Sequence, residues 1–115
     1  MTVSEAIAGA QALTGQTVDG ATLARWLSAL DGRLARELGR SAPAAPYDAT
    51  ADAQTALLAP WPWDGFYVHH LEAMTYYSAG EYDRYENARV MAERGMADWR
   101  AYLRRTGQLT EGGAQ

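Results

Sequence analysis

A chain of 115 residues is enough for one domain with a single modest core, and a net charge of −4, with ten arginines and no lysine, argues against a basic DNA-reading face. The lack of cysteine excludes disulfides, thiolate nucleophiles and sulfur-type zinc clusters. Seven tyrosines and four tryptophans beside one phenylalanine put the large apolar area on rings with a polar edge, which suits helix seams and subunit interfaces.

The first segment, MTVSEAIAGAQAL, has no basic n-region and contains Glu5, so it does not read as a signal peptide, and no apolar run reaches the ~18 residues of a membrane span. The chain is therefore expected to be soluble and intracellular. Thr2 or Ser4 is placed to cap a short helix through about Leu13, with Glu5 in its first turn and Ile7 and Leu13 as its main apolar contacts. TGQTVDG then reads as a turn. In the second helix Leu23, Trp26, Leu27, Leu30, Leu34 and Leu38 draw one apolar stripe, with Gly32 as an internal weak point and Gly39 as the expected C-cap.

Residues 40–55, with two prolines and many small side chains, are expected to form a long surface loop or arm where a partner could dock. Pro60 and Pro62 push Ala59 and Trp61 towards extended backbone, which delays the third helix until after Trp63 and makes Asp64 its natural N-cap. Tyr67, Leu71, Met74 and Ser78 share one line of that helix, and Phe66, His70, Ala73 and Tyr77 the next. Gly80 breaks the pattern. In the fourth helix Tyr82, Tyr85, Ala88, Ala92, Trp99 and Leu103 keep the spacing; Glu81, Asp83 and Glu86 open it and Arg100, Arg104 and Arg105 close it, as the helix dipole favours. The expected fold is all-α, one domain over 1–105: a compact bundle of about four helices with a long loop between helices 2 and 3 and a C-terminal helical hairpin. Residues 106–115 are expected to be a flexible tail.

Chemistry concentrates in APWPWDGFYVHHLEAM. Adjacent His69 and His70 diverge by about 100° on a helix and cannot easily share a metal, while the single His69/Glu72 pair falls short of a di-iron pattern, so no metal ligand is assigned. No serine elbow or phosphate-binding glycine loop is present, and Asp48/Asp52 and Asp83/Glu86 read as capping or solvated carboxylates. No catalytic residue and no cofactor are assigned, and the chain is read as a non-enzyme. Two tryptophans flanking prolines exceed what one hydrophobic staple needs; one is expected to pack on the helix start and the other to anchor a neighbour.

The order of features, ATLARWLSALDGRLARELG, then PYDAT, then LLAPWPWDGFYVHHLEAMTYYSAGEYDRYENARVMAERGMADW, resembles small proteins of the head-tail connector, or head-completion adaptor, family of tailed phages and prophages. The resemblance spans about residues 3 to 105 and rests on aromatic and small residues. It implies an α-helical virion subunit, found in host cytoplasm during assembly, that forms a homo-oligomeric ring on the portal protein. It would extend the channel for passing DNA without reading its sequence and contact neighbouring connector or tail proteins, with no membrane role. Trp61, Trp63, Tyr67, Tyr47 and Asp48 are the interface candidates. The alternative is a small helical regulatory or DNA-binding module of a prophage.

Overall fold

Four helices form where the apolar spacing predicts them, and the computed structural model, which describes residues 1–109, assembles them as an all-α bundle. They are α1 (Val3–Thr14), α2 (Gly20–Leu38), α3 (Phe66–Ser78) and α4 (Tyr82–Arg105). Among the described residues there is no strand, only an isolated antiparallel bridge between Thr2 and Ala56. None of these helices is long and apolar enough to cross a membrane.

A reciprocal cap starts α1: Glu5 N–H donates to the Thr2 hydroxyl at 3.2 Å while Thr2 N–H donates to the Glu5 carboxylate at 2.8 Å. The buried face of α1 is Val3, Ala6, Ile7 and Ala10, and Leu13, expected inside, is 51% exposed. The small residues face inwards because α1 runs very close to α3; a Cβ on Gly9 would lie 2.9 Å from a methyl of Val68. In α2 the leucine stripe is buried as expected at Leu23, Leu27, Leu30 and Leu34, and Trp26 and Leu38 pack at its margin. Gly39 ends the helix at φ 68°, a left-handed conformation that glycine adopts without steric cost.

The α3–α4 hairpin turns at Gly80 (φ 74°), and its two helices meet closely at Gly95, where a Cβ would sit 2.8 Å from that of Phe66. Trp99 and Leu103 carry the far end of α4 into the common core, and Arg100 makes a forked ion pair with Glu37 that ties α4 to α2. Beyond α4 the chain folds back, with the N–H groups of Gln108 and Leu109 both donating to the Leu103 carbonyl and Leu109 buried. Within the expected tail, Leu109 thus packs its apolar side chain against the core while residues 106–108 are exposed; the rest of the tail lies outside the described residues.

The segment expected as a surface loop or arm is a loop, exposed over most of residues 40–46, whose last part is tied down as a strap. Val3 N–H donates to Thr55 and Ser4 N–H to Ala53, while Leu57 N–H donates to Met1, so residues 53–57 run against the start of α1. Asp48 caps a turn, accepting from Thr50 and Ala51 N–H at 2.8 and 2.7 Å, and these bonds hold its carboxyl below the usual aspartate range.

Candidate interaction site

The strap, α2 and α3 meet at one buried carboxylate, Asp31, which is 1% exposed. It accepts from the Tyr67 hydroxyl, from the Tyr47 hydroxyl at 2.8 Å and from Leu58 N–H at 3.0 Å. Three donors compensate a charge that could not otherwise remain out of water. The Tyr67 hydroxyl also accepts Ala59 N–H at 2.9 Å, so one hydrogen-bonded cluster fixes both Leu58 and Ala59 immediately before the prolines. Burial, with the charge and hydrogen bond of Asp31, keeps both tyrosines protonated well above their usual range.

From this mount the chain makes a four-residue turn, closed by Trp63 N–H donating to the Pro60 carbonyl at 2.8 Å, with the Trp61–Pro62 bond cis. The far side of the turn is held twice. Trp63 stacks on Tyr102 of α4 at 4.8 Å between centroids, and the Asp64 carboxylate lies 2.7 Å from the Met1 amine. Contrary to the expectation from sequence, Asp64 therefore does not cap α3 with its side chain. An ammonium is a stronger partner than a backbone amide, and only its carbonyl receives Tyr67 N–H, at 3.3 Å. Between these fixed ends, Trp61 stands at the tip of the turn, 82% exposed.

The five residues singled out from sequence separate into two groups. Trp61 is at the surface, Trp63 is half-buried beside it, and Asp48 is exposed in its turn, whereas Tyr67 is wholly buried and Tyr47 partly so. Tyr67 cannot present a side chain to a neighbour of the folded chain. Its position on the most apolar line of α3 and its hydroxyl's two partners make it an interior brace for the site. Asp31 escaped sequence reasoning, although the signal was there: it follows Leu27 by four positions and precedes Leu34 by three, an acid on an apolar stripe.

Grooves flank the hairpin on both sides. One, of about 410 Å³, runs from Pro62 and Trp63 past Phe66 and His69 to Met91 and Arg94. There His69 Nδ1 lies 3.0 Å from Glu72 Oε1, an imidazole oriented by a carboxylate, and the groove's lining contains no serine, threonine or cysteine to act as nucleophile. His70 faces the opposite cleft, with Arg33, Met74, Tyr85, Arg89 and Met96. Burial and then the Arg33 charge push its imidazole down to about 4, so it is neutral at pH 7. The two histidines thus occupy different grooves, as helical geometry requires.

Comparison with protein-family models, with curated protein sequences and with solved structures returned no match for the chain.

Proposed function

We propose that the chain is a non-enzymatic adaptor subunit of phage head-tail connection, which docks on a portal ring and extends the DNA channel towards the tail. The observation that carries an interaction role is Trp61: a large indole, 82% exposed, on a turn held at both ends. Keeping such a ring in water costs on the order of 2 kcal/mol relative to burying it. Because its backbone is already fixed, little further entropy is lost when a partner covers it, which suits an interface anchor. The portal as the partner comes from the resemblance of ATLARWLSALDGRLARELG and LLAPWPWDGFYVHHLEAM to connector proteins.

Native mass measurement of the chain mixed with a phage portal ring tests this reading. The expected result is a portal ring carrying a fixed number of adaptor copies; a chain that never joins the ring contradicts it. One observation favours the second reading, a helical DNA-binding module: Arg36, Arg40, Arg104 and Arg105 are all exposed at one end of the bundle. That reading expects salt-sensitive binding to duplex DNA, with each phosphate contact adding about one unit to the salt slope.

A further inference from the structure

The charges on this chain are sorted by position. The last turns of α2 and α4 adjoin, joined by the Arg100–Glu37 ion pair and by Arg40 donating to Gln108 at 3.3 Å. Among the described residues this brings Arg36, Arg40, Arg100, Arg104 and Arg105 to one pole against Glu37, a formal charge of +4, where the whole chain carries −4. Among the described residues Arg104 and Arg105 form no ion pair, and both are exposed.

At the other end of α4 lies the hairpin tip. Its 24 residues separate the two ends by about 36 Å, close to the 39 Å length of the whole molecule. Glu81, Asp83 and Glu86 against Arg84 and Arg89 give the tip a formal charge of −1; Glu81 pairs with Arg84 and Glu86 with Arg89, and Asp83 forms no ion pair among the described residues. It is also aromatic. Tyr77 packs edge-on against Tyr82 and Tyr85 at 5.6 and 5.1 Å, and Tyr77 and Tyr82 remain 57% and 59% exposed. Edge-on packing leaves ring faces open to solvent, and an open tyrosine face beside carboxylates is a receptor for a guanidinium. Within this same tip Arg84 already lies over the Tyr76 ring, 5.8 Å from its centroid.

We propose that the acidic tyrosine tip of one copy receives the arginine pole of a second copy, Arg104 and Arg105 in particular, in a head-to-tail contact. The proposal names the copy-to-copy contact of the adaptor reading and rests on that reading's repeated subunit. The second copy is favoured as the occupant because the complementary pole, of opposite charge and with side chains suited to open aromatic faces, belongs to the same chain. Two different patches in contact make a heterologous interface, which propagates from copy to copy and either closes as a ring or continues. Two exposed tyrosines and a few exposed ion pairs fall short of the ~1,200 Å² usual for a stable pair, so the contact is weak in free solution and salt-sensitive, and strengthens when copies are held side by side on a template.

Sedimentation of the purified full chain up to millimolar concentration, at low and at high salt, tests this. Wild type is expected to self-associate at low salt and to lose at least tenfold in association constant at high salt. Variant R104E/R105E, with the pole's positive charge cancelled, and variant E81R/D83R, with a basic tip, are each expected to stay monomeric. Mixed, they are expected to associate as pairs, since the unaltered tip of the first then meets the unaltered arginine pole of the second. A wild type that is monomeric at every concentration overturns the proposal, as does either variant associating alone as well as wild type. Binding of duplex DNA by wild type without self-association, lost in R104E/R105E, also overturns it and assigns the pole to phosphates. A monomer that still loads onto a portal ring would refute this contact while leaving the adaptor reading in place.

Discussion

Asp31 decides how the strap and the Trp61 turn are held, because its carboxylate collects two hydroxyls and an amide inside the core. Asp31→Ala leaves all three donors without a partner, and by the cost of unsatisfied buried groups it is expected to lower unfolding free energy by about 3–5 kcal/mol in urea titrations. Tyr67→Phe removes one hydroxyl that both donates and accepts, and a smaller loss of about 1–2 kcal/mol is expected. His70 gives a separate, pH-dependent effect. Its folded value of about 4 lies below its ordinary 6.5, so above pH 6.5 both states are neutral and it does not affect stability. As pH falls from 6.5 towards 4 the unfolded chain takes up the proton first, and stability drops by about 1.4 kcal/mol per unit. Comparing urea midpoints of wild type and His70→Gln across this window cancels the carboxylates common to both; wild type should lose more than the variant. The reading of His69 and His70 as diverging residues was available from helical geometry alone. The role of Asp31 was not, since its partners lie 16 to 36 positions away in sequence.

The elements were the most legible level. The leucine stripe of α2, the break at Gly80 and the cap at Gly39 all follow from spacing and from glycine's backbone freedom, and each lies where these put it. The strap was not legible, because it is held by long-range bonds from its backbone to residues 1–4 and to Asp31, and such bonds leave no periodic trace in small residues. Two glycines inside helices separate propensity from packing. At Gly32 nothing lies within 4 Å of an added Cβ, so Gly32→Ala is expected to raise stability by about 0.5–1 kcal/mol. At Gly95 the same change meets the Cβ of Phe66 at 2.8 Å. The resulting strain, about 1–3 kcal/mol, exceeds the gain in helix propensity, so Gly95→Ala is expected to lower the thermal midpoint while Gly32→Ala raises it.

For the whole molecule, the rigid mount and the exposed indole combine into one device: a bundle that uses buried hydrogen bonds to position a turn whose tip residue, Trp61, is 82% exposed. Crowding of prolines and tryptophans marked this segment in the sequence. Which tryptophan faces out was settled only by the fold, through Trp63 stacking on Tyr102 and Asp64 turning to the Met1 amine. The most direct measurement is the affinity of wild type and Trp61→Ala for the portal ring, taken together with their thermal midpoints. An anchor at the centre of an interface is expected to cost at least ~2 kcal/mol on truncation, about thirtyfold in Kd, with the midpoint unchanged because the ring is already in solvent. Equal affinities, or a loss of binding that merely follows a loss of folding, would contradict the claim that Trp61 is held out for a partner.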